Sequence, residues 1–226
     1  MVYYNEWDGF CAQWLRNLID AGDLPAGDVD ERSIEDVSGD DLRGYRQVHL
    51  FAGIGGWGLA ARLSGWPTSR ELWTGSCPCQ RFSSAARGRH TAWDGWPAMR
   101  RLLTECRPAT VVGEQVTGAR GWVQGVRGDL VELGYECAGV VLPAYSLGYN
   151  HTRARVYFAG YADRHGEPGR TVDAETLRVS QSRGLTGGLA GADGVPRRVA
   201  QLRAYGNAII PALGAEVLGA ILACRP

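Results

Sequence analysis

The sequence predicts an α/β fold: a mostly parallel sheet covered by helices on both faces. Three observations predict it. Short apolar runs alternate with amphipathic stretches along most of the chain. One run, Val48 to Phe51, passes through a glycine turn directly into a helix-like segment, Trp57 to Leu63. Two others lead into an acid, at Asn5-Glu6 and at Gly113-Glu114. Acids at the ends of parallel strands commonly face a bound ligand.

The elements follow in order. Val2 to Tyr4 reads as a short strand ending in Asn5-Glu6-Trp7-Asp8. Phe10, Trp14, Leu15 and Leu18 then recur near helical spacing and predict a helix from Phe10 to Ile19. Gly27-Asp28-Val29-Asp30 follows, then a short helical or loop stretch from Ser33 to Leu42. After the glycine turn and its helix, Glu71 to Gly75 is strand-like and leads to Cys77-Pro78-Cys79-Gln80. Arg81 to Trp96 is polar, arginine-rich and glycine-containing, which predicts a loop. Pro97 to Cys106 and Trp122 to Leu133 are helix-like. Ala109 to Val112, Tyr135 to Leu142 and Arg155 to Gly160 are strand candidates. Asp163 to Val195 is rich in Gly, Arg, Asp, Thr and Ser and reads as an extended loop or small insert. An apolar closing helix, Ala212 to Leu222, follows Gly206-Asn207.

At 226 residues the chain can bury one full core. No run of eighteen apolar residues exists, so a membrane span is not expected. The first residues do not form a signal peptide, and the six cysteines lack paired zinc spacing, so no metal is expected and reduced thiols in the cytoplasm fit best. The formal charge is zero but uneven. Residues 1–45 carry eleven acids and three arginines, and the remainder carries thirteen acids and twenty-one arginines. Lysine is absent. Arginine suits phosphate and base-edge recognition because its planar fork is always charged, although a base-composition bias in the gene would also remove lysine.

The chemistry is carried by two runs. Phe51-Ala52-Gly53-Ile54-Gly55-Gly56-Trp57 places glycines where backbone approaches a ligand and a helix N-terminus offers free N–H groups. Pro78-Cys79-Gln80 places a thiol in a turn after a strand. Together with Phe82-Ser83, Gly113-Glu114-Gln115-Val116, Arg153-Ala154-Arg155 and Gly206-Asn207, they resemble the cytosine-5 DNA methyltransferase family. The resemblance implies a Rossmann-like fold, S-adenosylmethionine as cofactor and double-stranded DNA as partner. It implies that Cys79 attacks carbon 6 of cytosine. Glu114 would hydrogen-bond ring nitrogen 3 and the exocyclic amine, and Arg153 and Arg155 would hold the base or its partners. The cofactor would lie on Phe51 to Trp57 and on Pro78 and Asn207. Arg81, Ser83, Arg87, Arg89 and His90 would meet the DNA backbone, with Trp93 or Trp96 packing beside them. Gln115 stands where the family has Asn, and His151 where it has Gln.

The order of the motifs departs from the family's. No room exists between Gly56 and Pro78 for two strands and two helices. The missing pieces lie upstream, where Glu6-Trp7 resembles the ribose-binding motif and Asp28-Val29 the adenine-contacting one. A permuted strand order is therefore expected, with residues 1–162 forming the catalytic and cofactor-binding domain. Residues 163–200 would be a very small target-recognition insert, implying a short recognition site, and residues 201–226 would return to the main domain. A monomer is expected, and a chain this compact suits a phage or mobile-element enzyme. Three other readings stay open: an RNA (tRNA) cytosine-5 methyltransferase, a catalytically silent DNA-binding module, and a small-molecule methyltransferase.

Overall fold

The structure, a computed structural model, describes residues 1–78, 93–162 and 208–224. Seven strands form one sheet: β1 (Val2–Asn5), β2 (Gly27–Asp30), β3 (Gln47–Leu50), β4 (Leu72–Gly75), β5 (Thr110–Val116), β6 (Tyr135–Leu142) and β7 (Arg155–Ala162). Their spatial order is β2-β1-β3-β4-β5-β7-β6. The five strands from β2 to β5 pair in parallel, and β7 runs antiparallel to both neighbours. A parallel neighbour requires a crossover of a dozen or more residues, usually helical. The β6–β7 connection has only a short 3-10 turn at Ala144–Leu147, so β7 returns antiparallel beside β6.

The helices are α1 (Gly9–Asp20), α2 (Gly56–Leu63), α3 (Trp96–Cys106), α4 (Arg120–Glu132) and α5 (Pro211–Cys224). Asp8 caps α1 by accepting from the amides of Phe10 and Cys11, each at 3.0 Å. On one face of the sheet α3 and α4 bury Met99, Leu102, Leu103, Val126 and Leu130. On the other, α2 and α5 bury Trp57, Ala60, Leu213 and Leu218 against Leu72, Val112 and Tyr157. Alongside them, Leu15 of α1 packs with Val2, Tyr4 and Leu24. The apolar four-residue strands β1, β3 and β4 are buried on both faces, as expected of central parallel strands.

One polar pair crosses this centre. His49 Nδ1 lies 2.8 Å from Thr74 Oγ1 on the adjacent strand. Complete burial pushes the His49 imidazole down to about 3, so it is neutral in the fold. The ring also packs on Tyr4, with centroids 5.2 Å apart.

Most elements fall where the sequence pattern places them. Thr110–Val116 continues as a strand through Glu114, because β7 pairs with its whole length. The stretch after β2 forms two 3-10 turns, Ile34–Asp36 and Asp40–Leu42, whose Ile34, Val37 and Leu42 close one edge of the core.

Helices α2 and α5 pack closely at Gly214. A Cβ there would lie 3.0 Å from the Ala60 Cβ and 3.1 Å from Ile209 Cδ1. Gly219, one and a half turns later, has open space where a Cβ would go. Gly214→Val is therefore expected to lower stability by about 1–3 kcal/mol through overpacking. Gly219→Ala is expected to raise it by roughly 0.5–1 kcal/mol through helix propensity. Urea denaturation of the two variants beside wild type measures both.

Candidate active site

The parallel strands deliver their C-terminal ends to one edge of the sheet, and the candidate residues collect there. β3 ends at Leu50 and the chain turns sharply. Phe51 and Gly53 have left-handed backbone, φ 53° and 56°, and Gly55 follows at φ 85° as the N-cap of α2. A Cβ on Gly55 would stand 2.5 Å from Leu24 Cδ1, so glycine satisfies both the backbone angle and the packing. No side chain caps this helix start. The Ala52 amide donates to the Asn5 carbonyl at 2.9 Å, holding the turn against the end of β1.

Glu6, the residue after β1, closes the arrangement. Its Oε2 accepts from the Gly53 amide at 2.7 Å, and its Oε1 accepts from the Asp8 amide at 2.9 Å. The side chain is buried, and burial raises the carboxyl above the usual range while the two amide donors pull it back. Beside it lies a cavity of about 220 Å³ lined by Asn5, Glu6, Trp7, Ser33, Ile34, Glu35, Phe51 and Trp93. Three of these eight residues are aromatic. Trp93 stacks on Trp7 with centroids 6.4 Å apart and an interplanar angle of 25°, and meets Phe51 edge-on at 6.2 Å. The Trp93 indole N–H donates to Glu35 Oε1 at 2.8 Å.

Asp28 and Val29 are not brought to this cavity. Asp28 stands opposite Tyr3, two residues short of the strand end, and accepts from the Tyr45 hydroxyl. Val29 points to the other face and packs with the cluster around Leu15 and Leu24. The residues that reach the cavity from this side of the sheet are Ser33, Ile34 and Glu35. Sequence reasoning missed them and placed Trp93 beside DNA. The available signal was the isolated Ile34 in a polar stretch, an apolar residue that demands a partner.

Two strands across, β5 carries Glu114 into a second cluster. Its carboxylate is buried, with Arg155 Nε 2.8 Å from Oε1. Ser76, the residue after β4, lies on the other side of it from Arg155. Ser76 accepts from the Trp57 indole N–H at 3.0 Å. Burial pushes the Glu114 carboxyl up, while Arg155, Arg153 and Ser76 act to lower it. Arg153 reaches the Ala208 carbonyl at 2.7 Å, and burial lowers its own proton affinity. Gln115, on the opposite face of β5, donates to the Cys77 carbonyl at 3.1 Å and so fixes the turn that presents Pro78. Cys77 itself is packed in the core against Met99.

The structure thus brings together Glu6, Trp7, Phe51 to Trp57, Pro78, Glu114, Arg153 and Arg155 along one edge. Cys79, Arg81, Ser83, Arg87, Arg89, His90 and Asn207 lie outside the described residues. Among the described residues no group of His, Cys, Asp and Glu is arranged to hold a metal ion. No described helix is long and apolar enough to cross a membrane.

A family model described as C-5 cytosine-specific DNA methylase matches residues 62–185, more than half of the chain. Among solved structures, the chain is similar to the Dnmt2 methyltransferase of S. pombe. The identity is 15% and the TM-score 0.48, over 83% of this chain and 58% of that one. A DNMT2 variant from Spodoptera frugiperda matches at 13% identity and TM-score 0.47, over 76% of this chain and 53% of that one. A putative DNA modification methyltransferase encoded within an E. coli prophage matches at 14% identity and TM-score 0.43, over 72% and 47%. The chain spans about half the length of these solved structures. No curated protein matches it. The family match opens within α2 and runs through the turn at Pro78, Glu114 and both arginines of the second cluster. By that match the chain belongs to the C-5 cytosine-specific DNA methylase family.

Proposed function

We propose that the chain is a compact, circularly permuted methyltransferase that moves a methyl group from S-adenosylmethionine to carbon 5 of cytosine in duplex DNA. One observation carries the reading: Glu114 is buried and clasped by Arg155 on the strand beside the turn that leads into Cys79. Cytosine carbon 5 is too poor a nucleophile to take a methyl group unaided. A thiolate adding to carbon 6 makes it enamine-like. Cys79 supplies that thiolate. Glu114, whose proton affinity burial raises, hydrogen-bonds ring nitrogen 3 and the exocyclic amine as electron density enters the ring. After methyl transfer, loss of the carbon 5 proton expels the thiolate and restores the aromatic ring. Arg155 fixes the carboxyl, and Arg153 lies near enough to act on it through charge.

The first cluster fits the cofactor. Glu6 spends one lone pair of each oxygen on backbone amides, which leaves others for ribose hydroxyls. Trp7, Phe51 and Trp93 offer apolar faces to a planar base. The uncapped start of α2 and the left-handed glycines permit close backbone approach. S-adenosylmethionine, when bound, supplies an electrophilic methyl group. Asp28 would reach the adenine only if Tyr45 released it, so Ser33 to Glu35 are the better candidates for that contact.

The permuted reading is supported by the sheet. The two acid-bearing strands β1 and β2 come first in sequence, yet β1 lies beside β3, whose turn carries the glycines, and β2 lies beyond it at the sheet edge. The family match also begins past that turn, at residue 62. A target inside a duplex must be rotated out of the stack. Arg81, Ser83, Arg87, Arg89 and His90 are proposed to hold the backbone while it turns, and residues 163–200 to read a short target.

Transfer of labelled methyl to unmethylated duplex DNA, with nucleosides identified by mass spectrometry, tests the reaction. Label is expected in 5-methylcytosine, absent with Cys79→Ala and reduced roughly 10²- to 10⁴-fold with Glu114→Gln. Label entering tRNA and not DNA would reassign the substrate. For the cofactor site, Glu6→Ala is expected to weaken S-adenosylmethionine binding roughly 10- to 100-fold by calorimetry, with Glu6→Gln intermediate. Unchanged affinity in Glu6→Ala would remove Glu6 from the site.

A further inference from the structure

The outer wall of the cavity beside Glu6 is a weak piece of backbone. Ser33, Ile34 and Glu35 line the cavity from the short 3-10 turn Ile34–Asp36 and its N-cap. Turns of this kind have poor hydrogen-bond geometry. Its backbone bonds run from Asp36 to the Ser33 carbonyl at 2.9 Å and from Val37 to that of Ile34 at 3.4 Å. Further support comes from α3, the helix that follows the segment containing Cys79. Arg101 Nη2 lies 2.7 Å from the Val37 carbonyl and 3.3 and 3.4 Å from those of Ile34 and Glu35. Its Nη1 donates to Glu105 Oε1 at 3.0 Å, one helical turn on. Glu105 also takes the Gly39 amide with Oε2 at 2.7 Å. A Cβ on Gly39 would lie 2.9 Å from that same oxygen, so the segment is pressed directly on α3.

We propose that Arg101 is a positioning residue for the cofactor: its guanidinium holds the turn Ile34–Asp36 in the shape that receives the adenine end. The inference rests on the reading of this cavity as the cofactor's. Carbonyls at the end of a helical turn lack partners within the turn. Here three neighbouring carbonyls converge on one cation, whose planar fork carries five N–H donors and keeps its charge. The same stretch of chain reaches the cavity at a second point. Trp93, just before α3, donates to Glu35 Oε1 at 2.8 Å. Arg101 therefore holds the backbone of the wall, and Trp93 holds one of its side chains. A wall already in its bound shape loses less freedom when the ligand arrives, and that difference is gained as affinity. Removing the clamp leaves every cavity-lining residue in the sequence and lets the turn move, so its effect falls on cofactor affinity.

Arg101→Met keeps an unbranched side chain and removes the donors, while Arg101→Lys keeps a charge and a donor. In the free protein, hydrogen–deuterium exchange of the amides from Asp36 to Gly39 is expected to rise about tenfold in Arg101→Met and less in Arg101→Lys, with β1 and β3 unchanged. Calorimetry with S-adenosylhomocysteine, the cofactor without its methyl group, is expected to show binding about tenfold weaker in Arg101→Met, with Arg101→Lys between. A merely structural role would move the thermal midpoint and leave the affinity of the folded protein alone. Arg101→Met protein that binds as tightly as wild type overturns the proposal, and so does weaker binding with unchanged exchange. Trp7→Ala, which truncates an exposed residue of the cavity, separates the proposal from the reading beneath it. Weaker binding in Trp7→Ala with normal binding in Arg101→Met overturns the proposal alone. Normal binding in both overturns the cofactor reading as well. Should Arg101→Met not fold, Glu105→Ala decides, because it frees the Gly39 amide and one side of Arg101. Unmoved exchange and affinity in that variant overturn the proposal.

Discussion

The buried carboxylate of Glu6 is the contact on which the C-terminal edge of the parallel strands depends. It takes the amide of Gly53 with one oxygen and the amide of Asp8 with the other. One side chain thereby fixes the turn after β3 and the start of α1, two segments that meet only because β1 and β3 pair side by side. Both amides belong to tight backbone that has no ladder partner of its own. Leaving such a donor unsatisfied costs about 1–3 kcal/mol, so the acid holds this part of the fold together. Its proton affinity, raised by burial and restrained by the two donors, makes the bridge sensitive to its surroundings. A folded-state value above the unfolded one favours the fold most at acid pH, and that contribution is lost as pH rises toward the folded value.

The same economy is seen at Glu114. It lies on the one part of the sheet where parallel and antiparallel pairing meet, because β5 has β4 on one side and β7 on the other. The antiparallel side supplies Arg155 directly. A buried ion pair gains little net stability, because desolvating both charges offsets most of the attraction. What the Arg155 contact adds is orientation of the buried carboxylate. Gln115, the next residue, faces the opposite side and fixes the Cys77 carbonyl, so two neighbouring residues of one strand serve the acid and the turn before Cys79.

Much of this was legible in the sequence, and the reason is local. Glu6, Phe51 to Gly56 and Glu114 sit at or near the ends of short apolar runs, and strand ends in a parallel sheet converge on one edge whatever the connections between them. The alternation of runs also placed the helices. What could not be read was register and reach. Asp28 has the composition and spacing of a ligand contact, yet the β1–β2 register sets it beside Tyr3, short of the edge. Trp93 reaches Glu35 across 58 residues, and Trp57 reaches Ser76 across nineteen. Neither leaves a periodic trace. The antiparallel return of β7 was hidden for a related reason. Its only mark is a connection too short to hold a crossover helix.

The position of Trp57 ties these points together. A glycine turn needs small residues for backbone approach, but the first turn of its helix is free to carry a large one, provided that the ring is buried and its N–H is satisfied. Trp57 meets both demands at once, with its ring against Tyr157 and its N–H on Ser76. An apolar residue of similar size would fill the same space and leave Ser76 free to rotate. A residue of the first turn of α2 thus reaches the end of β4, the strand that pairs with β5 and its Glu114.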